Sequence, residues 1–250
     1  MSQSSSTEPV TPADKFLTAE WRYLAMLNYE IDPACLLSYL PNGTELDCWN
    51  GKTFVSLVAF LFINTKILGW SIPFHRSFEE INLRFYVRRL APEGWRRGVV
   101  FIKEIVPRAA IAVVARRVYN ENYVALPMRH EVTANFAPPS LVVDYSWRFN
   151  EKWNQLQVKT KGDLQPIAPG SEEEFITEHY WGYTAQRDGG CLEYQVEHPP
   201  WRVWQVRESI LDCNVSGLYG DIFVESLGAA PSSAFLAEGS AVVVRKGVKL

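Results

Sequence analysis

Hydrophobic and polar residues alternate most regularly along residues 77–89, SFEEINLRFYVRR. Side chains alternate faces along a β-strand. Ile81, Leu83, Phe85 and Val87 therefore share one face, and Glu80, Asn82, Arg84, Tyr86 and Arg88 the other. The first is a core stripe. The second sets acid, amide, guanidinium and phenol in a row. Looking into a barrel, it is the floor of a polar pocket; looking out, it is a solvated face, as half-exposed antiparallel strands often show. The pattern alone leaves both open.

The same reading extends along the chain. Residues 24–30 form a strand. Asp32 before Pro33 is a helix cap followed by proline at the first helical position, which starts a short helix to about residue 40. Asn50-Gly51 between residues 46–49 and 53–66 is a hairpin signal, since a type I′ turn needs two residues that accept positive φ. Residues 98–106 form a strand with Val99, Phe101, Lys103 and Ile105 on one face and Val100, Ile102, Glu104 and Val106 on the other. The alanines and arginines of residues 107–119 favour a short helix. Strands follow at 130–136, 141–149 and 156–161. Ser171 and Glu174 form a capping box ahead of a helix over residues 172–180. Strands at 191–197 and 201–206, a short helix near 215–223 and a strand at 241–245 complete the chain.

These elements predict one α+β domain over residues 15–250, dominated by antiparallel strands and rolled into a barrel with a few short helices. Residues 1–14 read as a disordered tail. A hydrophobic content of 47% over 250 residues supplies a sizeable core. The 25 basic residues do not outnumber the 28 acidic ones, and no basic stripe alternates with aromatics, so nucleic acid is not an expected partner. The tail lacks the basic and apolar regions of a secretory signal, and the longest apolar run, residues 54–63, is too short to span a bilayer. Cys35, Cys48, Cys191 and Cys213 are scattered, which suits reduced thiols in the cytoplasm. No membrane association is expected.

No nucleophile elbow, zinc-protease, phosphate-loop or dinucleotide motif is present. No cofactor and no metal are expected, because His75, His130, His179 and His198 are isolated in sequence. Glu178-His179 are adjacent and would not share a helix face. Trp201 and Trp204 read as core aromatics. Residues 120–130, NENYVALPMRH, set Asn120, Glu121, Asn122, Tyr123, Arg129 and His130 around an apolar centre. Polar clusters on irregular segments between apolar elements are a common active-site layout. With Glu80, Asn82 and Arg84 they would make a pocket of both charge signs. Such a pocket suits a small polar or acidic molecule held by arginine through paired hydrogen bonds.

The segments FHRSFEEINLRFYVRR, GWRRGVVFIKEIVPR, YNENYVALPMRH and FITEHYWGY resemble, in order from about Phe16 to Val206, a bacterial family called YqjF-like, domain of unknown function 2071. That family is similar to the acetoacetate decarboxylase superfamily. The resemblance implies an antiparallel β cone or barrel around a pocket, with the polar face of residues 80–88 inward. In the decarboxylases a proline precedes two lysines, one forming a Schiff base and the other lowering its pKa. The resemblance puts Pro127 at the proline and Met128 and Arg129 at the lysines. Neither side chain can form an imine. It also matches Glu121 to a glutamate ahead of that motif.

Three readings follow. The first is a binding protein or enzyme for a small carboxylate or keto acid, with Asn82, Arg84, Asn120, Tyr123 and Arg129 holding the ligand and Glu80 or Glu121 as acid/base. The second is a Schiff-base enzyme of lyase or aldolase type using Lys103. The third is a non-catalytic structural or interaction protein. The oligomeric state is open, a homo-oligomer included.

Overall fold

The computed structural model describes residues 14–73, 76–118, 120–136 and 139–250, without the side chains of 114–118 and 135–136. The tail predicted for residues 1–14, apart from Asp14, and His75 lie outside them. The strands are β1 (Lys15–Glu30), β2 (Glu45–Leu46), β3 (Phe54–Ile67), β4 (Phe78–Ala91), β5 (Gly94–Val106), β6 (Tyr123–Ala125), β7 (Met128–Phe136), β8 (Pro139–Phe149) and β9 (Lys152–Pro166). They continue with β10 (Trp181–Ala185), β11 (Cys191–Glu197), β12 (Arg202–Asp212), β13 (Ser233–Arg245) and β14 (Val248–Lys249). The helices are α1 (Ala109–Val118), α2 (Glu172–Thr177), α3 (Val215–Tyr219) and α4 (Val224–Gly228). No helix among the described residues is long and apolar enough to cross a membrane.

Strand pairing runs β11-β10-β5-β4-β3-β1-β13, and β13 pairs back onto β11 through Val196–Val244 and Glu197–Val243. Seven strands thus close into a ring, the barrel of the sequence reading. Beyond β13 the sheet continues through β12, β9, β8 and β7 and covers the barrel from outside. Pairing is antiparallel except for β5 with β10 and with β6.

The alternation of β4 sorts its side chains between two cores. Ile81, Leu83, Phe85 and Val87 face outward and pack with Val143, Tyr145, Trp147, Leu156 and Val158 of the covering sheet. Tyr86 faces inward among Leu24, Val58, Phe60, Val99 and Phe175. One departure from strict alternation decides the site. β5 carries an extra residue opposite β4: Leu83 pairs with Lys103, but Arg84 pairs with Phe101. This bulge at Ile102 shifts the phase of the strand. Ile102 and Ile105 join the outer core, whereas Phe101 and Glu104 both face inward. The two faces predicted for residues 98–106 are therefore correct only up to the bulge.

Local signals have local outcomes. Asn50 and Gly51 take positive φ (50° and 78°), but their turn closes only a Trp49–Lys52 bridge. β2 pairs with β4, and β3 lies between β1 and β4. Asp32 caps the first of two short 3₁₀ turns, which stand in place of an α-helix. Ser171 caps α2 by accepting from the Glu174 amide at 3.2 Å, while the Glu174 carboxylate reaches past it to the Gly170 amide at 2.7 Å. α2 stops at Thr177, which leaves His179 on the connection to β10.

Candidate active site

A cavity of about 180 Å³ lies inside the ring. Its walls are aromatic and aliphatic, with Trp21, Phe60, Phe62, Phe78, Phe101, Trp181 and Trp201 among them. Its polar lining includes Glu80, Asn82 and Arg84 on β4, Glu104 on β5, Glu121 and Tyr123 before and on β6, Tyr194 on β11, and His179 after α2. An apolar chamber with a few converging polar groups is the usual form of a small-molecule site.

Register brings these groups together. Asn82 pairs with Glu104 across β4 and β5, and Glu104 pairs with Tyr123 across β5 and β6. The Asn82 amide donates to Glu80 Oε1 at 3.1 Å, and the Tyr123 hydroxyl donates to Glu80 Oε2 at 3.1 Å. The Tyr194 hydroxyl donates to Glu121 Oε1. Gly182, opposite Tyr194, makes that reach feasible: a Cβ there would sit 2.2 Å from the Tyr194 ring.

Three carboxyls thus share one enclosure, with Glu80, Glu104 and Glu121 only 3%, 1% and 8% exposed. Burial pushes Glu80 up to about 8, and the neighbouring Glu121 adds to the effect. Burial likewise pushes Glu121 up to about 7, against hydrogen bonds from Tyr194 and Thr184. Burial and then the charges of Glu121 and Glu80 hold Glu104 well above the ordinary carboxylate range. Like charges in a dry site cannot all ionise, so these groups are poised to exchange protons near neutral pH.

At another part of the lining, His179 Nε2 lies 3.1 Å from Asp47 Oδ2, which also accepts from Arg97 Nε at 2.7 Å. Burial works to raise Asp47, but its bonds from His179 and Arg97 outweigh burial and hold it below the usual value. An ionised Asp47 makes Nε2 the protonated nitrogen. Burial takes His179 down to about 4, with Arg97 acting in the same sense, so Nδ1 carries a lone pair. Arg84 donates to the Ile176 carbonyl at 3.3 Å, and its Nε has no partner.

Eight buried side-chain polar atoms among the described residues lack a hydrogen-bond partner. Six belong to residues lining this cavity: Trp21 Nε1, Thr65 Oγ1, Asn82 Oδ1, Arg84 Nε, Glu104 Oε2 and His179 Nδ1. Buried polar atoms are nearly always paired with protein, water or ligand, and most of those left without a protein partner among the described residues face this one cavity.

The structure brings together Glu80, Asn82, Arg84, Glu121 and Tyr123 as the sequence pattern suggests. Three expected members lie elsewhere. Lys103 faces outward because of the bulge at Ile102 and donates to the Leu218 carbonyl at the end of α3. Asn120 takes positive φ (58°), which turns its amide to the Ala185 carbonyl at 2.9 Å. Arg129 is exposed on the covering sheet, its guanidinium 4.3 Å from the centre of the Trp153 ring. Met128 packs against the outer core. Neither position that replaces the lysine pair opens on the cavity, and among the described residues no lysine lines it. Glu104 and His179 are members that the sequence pattern misses. Glu104 leaves one trace, a lone acid on the face of Val100, Ile102 and Val106. Among the described residues no three His, Cys, Asp or Glu side chains are grouped to hold a metal ion.

The family model DUF2071, described as an uncharacterized conserved protein, matches residues 18–241. The uncharacterized protein YqjF of Bacillus subtilis is 25% identical over 213 residues, 82% of each chain. Among solved structures, acetoacetate decarboxylase from Legionella pneumophila superposes with a TM-score of 0.63 at 13% identity, covering 98% of this chain and 92% of that one. The enduracididine biosynthesis enzyme MppR complexed with pyruvate gives 0.64 at 12% identity, covering 98% and 93%. An acetoacetate decarboxylase-like enzyme from Sphingomonas wittichii gives 0.63 at 11% identity, covering 100% and 99%. These likenesses establish the acetoacetate decarboxylase-like fold.

Proposed function

This chain belongs to the DUF2071 family, and we propose that it binds a small carboxylate or 2-oxo acid inside the barrel and works on it by acid/base chemistry, without an imine. The observation that carries this reading is the set of six unpartnered polar atoms on one aromatic-walled cavity. Among the described residues Arg84 is the cation of that lining, and its free Nε is the natural seat of the ligand carboxylate. Glu80 and Glu121, pushed up to about 8 and 7, are the groups for proton transfer. The apolar walls hold the ligand body. A structural neighbour solved with pyruvate agrees with this ligand class. Imine chemistry is not part of the reading, because no lysine lines the cavity.

Melting curves with pyruvate, 2-oxohexanoate and hexylamine test it. A ligand at a hundredfold excess over its Kd adds about 2.7 kcal/mol, roughly 5–10 °C at this chain length. The 2-oxo acids should produce such a shift, and Arg84→Met should remove it. Stabilisation by the amine alone, or a 2-oxo acid shift that survives Arg84→Met, would overturn the reading.

A further inference from the structure

The Tyr123 hydroxyl lies between two of the buried carboxyls. It donates to Glu80 Oε2 at 3.1 Å and also faces Glu104, its partner across the β5–β6 register. A phenol has one proton to give. With that proton directed at Glu80, Tyr123 presents Glu104 with oxygen lone pairs, and a lone pair accepts only from a carboxyl that holds its own proton. Glu80 is arranged as the receiving end, since both its oxygens accept, one from Asn82 and one from Tyr123. Glu104 Oε2 is buried on the cavity lining with no partner. Among the described residues, the other charged and titratable groups on the cavity lining are Arg84 on β4, Glu121 before β6, Tyr194 on β11, His179 after α2 and His198 before β12. Of these only Arg84 is a cation, and it is spaced two residues beyond Asn82.

We propose that Glu104, Tyr123 and Glu80 form a proton relay that opens on the cavity at Glu104 Oε2. In the working state, above the pH at which Glu80 ionises, Glu104 is protonated, Tyr123 is neutral and Glu80 is the carboxylate. The bound molecule gives a proton from carbon or oxygen to Glu104 Oε2. Glu104 releases the proton of its other oxygen to the Tyr123 oxygen, and the Tyr123 hydroxyl proton passes to Glu80 Oε2. The ligand ends as an anion, Glu80 ends protonated, and Glu104 and Tyr123 each hold one proton as before. Run backwards, the relay protonates the ligand. The negative charge is thereby parked one residue away from the reacting group.

This inference deepens the acid/base reading above, and one experiment keeps the two apart. Infrared spectra of the ligand-free protein at about pH 9, above the values to which Glu80 and Glu121 are raised, count protonated carboxyls by their C=O band. Glu104→Gln should lose one such band, and Tyr123→Phe should shift it by removing its acceptor. If Glu104→Gln does not fold, Tyr123→Phe reads the same band. A protonated-carboxyl band untouched by both variants would overturn the relay. In parallel, exchange of the pyruvate methyl protons in D₂O reports the chemistry. The relay predicts exchange that falls about a hundredfold in Tyr123→Phe. Exchange that Tyr123→Phe leaves unchanged also overturns it. Expected infrared changes with no exchange by the wild type would leave the proton-holding bridge standing and defeat the reading of a 2-oxo acid as substrate.

Discussion

The two faces of β4 belong to different problems. Outward, Ile81, Leu83, Phe85 and Val87 are fully buried against the covering sheet. Their hydrophobic burial holds the barrel to its second layer. Inward, Glu80, Asn82 and Arg84 line a cavity with a cluster of acids and unpaired atoms that costs stability. Among the described residues the outer layer contributes only Trp147 Nε1 and Tyr219 Oη to the unpartnered atoms. A strand need not tolerate a polar inner face in order to fold. That it carries one inside a ring is a departure from core packing of the kind the proposed binding and acid/base chemistry would require.

The comparison is broken most severely from outside. Leu83→Ala leaves a void between barrel and covering sheet and should cost about 2–5 kcal/mol by denaturant unfolding, with ligand response retained in the folded fraction. A loss of ligand binding at full stability would mean that the two faces are not separate.

The inner face should make stability depend on pH in a sign-specific way. Glu80 and Glu121 have folded values raised to about 8 and 7 from 4.5. Between pH 4.5 and those values the native state holds more protons than the unfolded one. Stability should therefore fall as pH rises through that interval, by about 1.4 kcal/mol per unit for each uncoupled carboxyl. His179 acts oppositely: its folded value is lowered from 6.5 to about 4, so its contribution is lost as pH falls through that range. Glu80→Gln with Glu121→Gln should flatten the alkaline limb, and unfolding curves at several pH values check this. An alkaline limb unchanged in the double variant would show that these carboxyls titrate normally.

How much of this was readable in the sequence follows from the same contrast. The period-2 pattern of β4 is a property of one strand, and Glu80, Asn82 and Arg84 fall where it places them. Glu121 and Tyr123 are also where the polar insert suggested. The β5 bulge has no local signature, because an extra residue is accommodated by the partner strand; without it, Lys103 and Glu104 exchange faces. Asn120 and Arg129 look like site residues by composition, but a positive φ turns one away and strand β7 carries the other to the covering sheet. His179 became visible only when α2 ended a turn early and Asp47 came from 132 residues away to hold it.

Two smaller tests sharpen the boundary. Borohydride with pyruvate should trap no adduct, since Lys103 faces outward; a mass increase abolished by Lys103→Ala would return imine chemistry to the chain. Arg129→Met removes an exposed cation–π contact with Trp153 and should change stability by about 1 kcal/mol or less, with no change in ligand-induced stabilisation. Loss of the ligand shift in that variant would move the site to the covering sheet.

The most direct measurement is a crystal structure of the protein grown with saturating 2-oxohexanoate. It should show the acid inside the seven-stranded ring, its carboxylate on Arg84 Nε and an oxygen within hydrogen-bonding distance of Glu104 Oε2. The acid bound only on the outer surface, with Arg84 Nε and Glu104 Oε2 paired to protein groups, would contradict the account.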